Sequence, residues 1–178
     1  FQKEPQPIWA GQYSLNGNGE MTGSHWIKDG GYFLGPICIT NTNSVGIAHH
    51  ATSKWIINHH KEYWSQNHLW AMPVIAETYD GVLNDINGQH IKEKDVIEAI
   101  NNAKSGNIKE GNSGGGTGMI SYEFKGGTGS SSRKINLEGE EFTIGTLVQA
   151  NHGVRQWLNI LGVPVGKHLT KNRLDKIF

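Results

Sequence analysis

Leu34-Gly35-Pro36-Ile37-Cys38-Ile39-Thr40-Asn41-Thr42-Asn43-Ser44-Val45 decides the fold. Leu34 to Thr40 is a continuous apolar run of strand length, and Thr40 to Ser44 is a cluster of residues whose short polar side chains cap helix N-termini. Val45, Ala48, Thr52, Trp55, Ile56 and His59 then recur at spacings of three and four, which predicts a helix with those residues on one face, ending near Lys61. A second strand is expected over Met72 to Glu77. It delivers Glu77-Thr78-Tyr79-Asp80-Gly81 at its carboxyl end, where sites on a sheet commonly lie.

Working outward, Ile8 to Leu15 reads as a strand running into the turn Asn16-Gly17-Asn18-Gly19. Lys92 to Ala103 reads as a second helix, with Val96, Ile97 and Ile100 on one face. Ser105 to Gly118 carries six glycines and reads as loop. Three strands are expected next: Met119 to Lys125, Ser132 to Leu137, and Phe142 to Asn151, the last two joined as a hairpin through Glu138-Gly139-Glu140. Between Gly153 and Val165 the pattern favours no single state, although Leu161 to Val165 looks extended and Pro164 argues against helix. No repeat and no linker-like shift in composition interrupts the chain, so one layered α/β domain over residues 1–178 is expected.

Composition narrows the function. The 16 Lys+Arg balance 16 Asp+Glu. A chain with neither a basic excess nor a basic stripe lacks the footprint of a nucleic-acid or membrane-surface binder. No apolar run approaches the roughly 18 to 20 residues that span a bilayer. One cysteine, Cys38, excludes an intrachain disulfide and a cysteine-based zinc site. The chain opens on Phe1-Gln2-Lys3-Glu4 without an initiating Met, as expected of a fragment or a processed piece.

Several motifs invite chemistry. Gly111-Asn112-Ser113-Gly114-Gly115 has the G-x-S-x-G form of a nucleophile elbow, but an elbow needs a strand running in and a helix running out, and polar residues precede it here. The glycines at Gly114 to Gly118 and Gly126 to Gly129 lack the Lys-Ser/Thr of a phosphate loop, which favours backbone crowding or an oxyanion pocket over a nucleotide. The nine histidines include His49-His50 and His59-His60, with no pair at the i, i+4 spacing that presents two metal ligands together, so no metal and no cofactor is expected. Glu77, Tyr79 and Asp80 present an acid able to bind a cation and a phenol able to orient a substrate; a capped turn cornered at Asp80-Gly81 explains the same residues. Asn151 stands at a strand end, as an amide donor to an oxyanion or as an Asx turn.

Read together, these segments resemble the α-chain of the DmpA-type aminopeptidases, the L-aminopeptidase/D-alanine esterase-amidases and β-peptidyl aminopeptidases. The resemblance rests on Ser14 to Gly23, Thr40-Asn41-Thr42 with Ser44-Val45-Gly46, and Ala76 to Gly81 with Leu83 to Gly88. It continues through Gly114 to Met119, Phe124 to Gly127, Leu147 to Asn151 and Gly162 to Gly166. These motifs occur in the family's order and cover nearly the whole chain.

The resemblance implies a four-layer α/β/β/α sandwich similar to the amino-terminal-nucleophile hydrolases. It implies a precursor that cuts itself into α- and β-chains, the new amino-terminal Ser of the β-chain being the nucleophile. By position in the matched motifs, Glu77 would bind the substrate's ammonium group, Tyr79 would line the site and orient the scissile carbonyl, and Asn151 would be the oxyanion donor. The implied partners are the β-chain, short peptide or amino-acid amide substrates, and further αβ units in an oligomer, in a bacterial cytoplasm or periplasm. The nucleophile is not in this sequence, so the chain by itself is expected to be inactive. Position 113 is Ser where the family carries an apolar residue. Two other readings are an acyltransferase of the ornithine acetyltransferase type, with a Thr nucleophile, and a non-catalytic glycine-rich ligand-binding domain.

Overall fold

The computed structural model describes residues 3–67 and 70–171. Packing divides the chain into two compact units, residues 1–78 with 86–105, and residues 79–85 with 106–178. Each is described by itself.

The first unit contains β1 (Ile8–Trp9), α1 (Ser24–Gly30), β2 (Tyr32–Phe33), β3 (Ile37–Asn41), α2 (Val45–His59), α3 (Lys61–Gln66), β4 (Val74–Thr78) and α4 (Glu93–Asn101). β3 and β4 pair in parallel, from Ile37 opposite Val74 to Asn41 opposite Thr78. Parallel neighbours need a long crossover, which α2 supplies. Its inward face carries Val45, Ala48, Ala51, Thr52, Trp55 and Ile56, which pack with Ile75 of β4 and Val96 and Ile100 of α4. Full burial of a Val or Ile side chain is worth about 1.5–3 kcal/mol. Trp55 Nε1 donates to Asn101 Oδ1 at 2.7 Å and ties α2 to α4.

The expected helix face needs two corrections. Ala51 belongs to it, and its last member stays outside the core: His59 is exposed, stacked on the Trp55 ring at 4.4 Å. The neighbouring His60 is the buried histidine, its Nδ1 lying 2.8 Å from the Lys3 carbonyl. The polar run before α2 also works differently from a side-chain cap. Thr42–Ser44 forms a 3-10 turn, no side chain caps the helix, and Asn43 instead donates to Ile86 O and Asn87 Oδ1.

A smaller cluster of Ile27, Phe33 and Val74 lies under the antiparallel pair of β1 and β2. The strand expected over Ile8 to Leu15 is only these two residues long, and Asn16 Oδ1 accepts the Asn18 N–H as an Asx turn. The chain then runs antiparallel to β4 through a bridge between Met21 and Ala76. Thr22 locks this approach, since its hydroxyl donates to Pro73 O at 2.7 Å and accepts the Ile75 N–H at 2.9 Å.

The second unit contains β5 (Ile120–Ser121), β6 (Phe124–Lys125), β7 (Thr128–Leu137), β8 (Glu140–Gln149) and α5 (Val165–His168). The single strand expected over Met119 to Lys125 is a hairpin. Tyr122 and Glu123 turn it with φ of 50° and 61°, a conformation costing roughly 1–2 kcal/mol per non-glycine residue. Hydrogen bonds hold it there: Tyr122 N–H donates to His152 O at 2.7 Å, and the buried Arg155 donates through Nη2 to Glu123 O at 2.6 Å. The Arg155 guanidinium also lies 3.8 Å from the centre of the Phe124 ring.

β7 and β8 form a ten-residue ribbon turning at Glu138 and Gly139, with Leu137 opposite Glu140, longer on the β7 side than the sequence pattern suggests. Beyond β8 the chain resolves into a 3-10 turn at Arg155–Trp157, a tight turn bridging Ile160 to Val163, and α5 immediately after Pro164.

The lock at Thr22 is a test of the first unit. Thr22→Val keeps the shape but strands the Ile75 N–H and Pro73 carbonyl, and it is expected to cost about 1–3 kcal/mol in denaturant unfolding of the complete protein, whereas Thr22→Ser restores most of that.

Candidate active site

Glu77 is the fourth residue of β4, so it belongs to the strand and not to the loop after it. The register sets Thr40 of β3 beside it, and β3 ends one residue later, where the 3-10 turn at Thr42 begins. Thr42 Oγ1 donates to Glu77 Oε2 at 2.6 Å, a short hydroxyl–carboxylate hydrogen bond. Facing the other oxygen is Gly19, where an added Cβ would stand 3.2 Å from Oε1. Glu77 is thus a half-buried carboxylate with one oxygen held and the other beside bare backbone.

Tyr79 and Asn151, 72 residues apart in sequence, come together in the second unit. The Asn151 carboxamide pairs with the Tyr79 backbone as a peptide group would: Tyr79 N–H donates to Oδ1 at 3.2 Å, and Nδ2 donates to Tyr79 O at 2.9 Å. A longer contact of 3.4 Å joins Nδ2 to Ile120 O. The amide plane and the direction of its N–H groups are therefore fixed before any ligand arrives. The Tyr79 side chain is exposed.

Asp80 belongs to a capped turn. Its carbonyl accepts Leu83 N–H and Asn84 N–H, and its Oδ2 accepts Asn84 Nδ2 at 2.8 Å. Gly118 packs on this turn so closely that an added Cβ would meet Asn84 Nδ2 at 2.5 Å and Asp80 Cβ at 2.7 Å.

The glycine-rich stretch is crowded backbone. A Cβ at Gly116 would lie 2.5 Å from Gly111 O, one at Gly127 2.8 Å from the same oxygen, and one at Gly126 2.6 Å from Ala150 O. Lys125 gathers the segment, its ammonium donating to the carbonyls of Gly116, Met119 and Gly126 at 2.8, 3.2 and 2.7 Å. Lost hydration draws its pKa below the usual lysine value. Ser113 is extended and leads into the five-residue 3-10 turn Gly114–Gly118, so it lacks the strand-to-helix setting of a nucleophile elbow. Cys38 is partly buried, with its Sγ 3.5 Å from Thr52 Oγ1 and its thiol pKa raised by burial. Among the described residues no three His, Cys, Asp or Glu gather as a metal site, and no helix is long and apolar enough to cross a membrane.

Sequence reasoning missed Thr42 as a partner of Glu77. The signal was present: a hydroxyl residue directly after one of two adjacent strands, close in register to the acid on the other.

Known proteins are similar to this chain in sequence and fold. The sequence profile of peptidase family S58 matches residues 2–176. The β-peptidyl aminopeptidase BapA of Sphingosinicella microcystinivorans is 48% identical over 170 residues, covering 96% of this chain and 42% of that protein. The L-aminopeptidase D-Ala-esterase/amidase of Ochrobactrum anthropi, described as a prototype for the serine aminopeptidases and a variant of the Ntn hydrolase fold, is 57% identical. It superposes with a TM-score of 0.92 over 97% of this chain and 48% of its own. A β-aminopeptidase from a Burkholderia species superposes with a TM-score of 0.82 at 46% identity, over 92% of this chain and 45% of its own. The fold is accordingly the mixed α/β Ntn-hydrolase type, and the chain spans about two-fifths of the length of the curated relatives it matches.

The contact between Gly118 and the Asp80 turn yields a prediction. Gly118→Ala is expected to destabilise the complete protein by about 1–3 kcal/mol, read from the denaturant midpoint, and by less in an Asn84→Ala background where the closest clash is gone.

Proposed function

This chain belongs to peptidase family S58, and from that premise we propose that it is most of the α-chain of a self-processing serine aminopeptidase. The observation that carries the reading is the likeness to serine and β-peptidyl aminopeptidases over nearly all of its residues. The complete protein would be made as one precursor and cut into α- and β-chains that stay together, with further αβ pairs assembling into an oligomer. Its substrates would be short peptides, amides or esters with a free amino terminus, D- and β-amino acids among them.

The nucleophile in this reading is the amino-terminal Ser of the β-chain, whose own α-amine, with a reference pKa near 7.7–8.0, serves as general base. Its Oγ attacks the scissile carbonyl carbon as the amine takes the hydroxyl proton. The carbonyl oxygen becomes an oxyanion, collapse expels the leaving amine with that proton, and water then hydrolyses the acyl-enzyme. Asn151 donates to the oxyanion through the Nδ2 hydrogen that otherwise makes the long 3.4 Å contact with Ile120 O, while the 2.9 Å bond to Tyr79 O keeps the carboxamide in place, and a donor so held stabilises charge as it develops. Tyr79 lines the site and orients the carbonyl. Glu77 receives the substrate's ammonium group; an internal amide offers no such cation and would leave the carboxylate without its charge partner, which accounts for amino-terminal specificity.

Two measurements test the reading. Intact-mass analysis with amino-terminal sequencing of the complete protein is expected to find a second polypeptide beginning with Ser; a single uncut chain would overturn self-processing. Asn151→Ala is expected to lower kcat by roughly 10²–10³, and a change under twofold would remove Asn151 from the oxyanion site.

A further inference from the structure

Of the side chains around Glu77, Thr42 is the one that fixes it. A carboxylate on a flexible three-bond stem does not by itself define where an ammonium will sit, because each χ rotation moves its oxygens by more than a hydrogen-bond tolerance. Here the rotation is arrested. Thr42 Oγ1 donates to Oε2 at 2.6 Å, and both residues are half-buried at the end of the β3 and β4 pair. An ionised carboxylate is acceptor-only, so a hydroxyl donor occupies one oxygen and directs the other toward a ligand cation. Among the described residues Glu77 Oε1 has no hydrogen-bond partner, and Gly19 faces it with no side chain of its own, its would-be Cβ lying only 3.2 Å away. Thr42 is itself anchored by backbone, since it opens the 3-10 turn that joins β3 to α2.

We propose that Thr42 is a positioning residue for amine recognition: its hydroxyl holds Glu77 so that Oε1 alone is presented to the substrate's ammonium group. The role rests on the reading of Glu77 as the ammonium acceptor. It acts on binding of the amine and not on acyl transfer, so its loss is felt in KM for substrates that carry an amino group.

The test uses the complete, processed enzyme. Thr42→Val removes the donor while keeping the branched shape, and it is expected to raise KM for an amino-acid amide about tenfold, the worth of one charge-assisted hydrogen bond, with kcat changed by less than about twofold. Thr42→Ser keeps the donor and is expected to stay within about threefold of the parent. Turnover of an acyl ester lacking the amino group is expected to be the same in all three proteins, which a general disturbance of the fold would not permit. In a Glu77→Ala background Thr42→Val is expected to add nothing. If Glu77→Ala leaves KM unchanged, the ammonium reading fails and takes the proposal with it. If Glu77→Ala raises KM but Thr42→Val does not, or Thr42→Ser behaves like Thr42→Val, the role of Thr42 alone is overturned.

Discussion

The parallel pairing of Ile37–Asn41 with Val74–Thr78 is the constraint on which the first unit depends. Antiparallel neighbours can be joined by two residues, whereas these two strands oblige the chain to return along their length before pairing again. α2 makes that return and must bury a face against the pair it connects, which is why Ala48 and Ala51 are almost wholly buried where the helix lies close. The same constraint brings two strand ends to one level, so that the hydroxyl following one reaches the carboxylate carried by the other. The acid is placed by topology, and its rotamer by one neighbour.

In the second unit the organising device is a side chain that imitates a peptide. The Asn151 carboxamide has the donor and acceptor geometry of main chain, and it satisfies both backbone groups of Tyr79 where no strand continues to do so. Lys125 works in the opposite sense, with one ammonium gathering three carbonyls that a glycine-rich turn would otherwise point at solvent. Together they allow a segment with little apolar content to hold a definite shape. The buried Arg155 extends the pattern, pairing with the carbonyl of Glu123 at the tight β5–β6 turn.

What was legible in the sequence follows from which interactions are local. The apolar spacing from Val45 to Ile56 and the short polar cluster before it mark the helix, and the run before Glu77 marks its strand, because both signals lie within a few residues of each other. The turn at Tyr122 and Glu123 was not legible, since neither residue is a turn former and both are held by His152 and Arg155 from later in the chain. Glu77, Tyr79 and Asn151 were singled out as candidates by their resemblance to family motifs, but no local pattern could show that Asn151 clasps the Tyr79 backbone. His59 lies on the face its spacing assigns, stacked on Trp55, but a helical wheel cannot tell that the last turn runs beyond the core.

That long clasp also orders events during synthesis. The first unit can assemble much of its core once α4 has emerged, since its strands and helices contact partners already made. Residues 79–85, although they precede α4, belong to the other unit and wait for Gly118 and then for Asn151, 72 positions after Tyr79. Until the ribosome has delivered that asparagine, the Tyr79 main chain has only water as its partner. The part of the protein that carries Tyr79 is therefore among the last to acquire its shape, so a nascent chain whose emerged portion ends within the long β7–β8 ribbon would have a folded first unit and an unformed clasp.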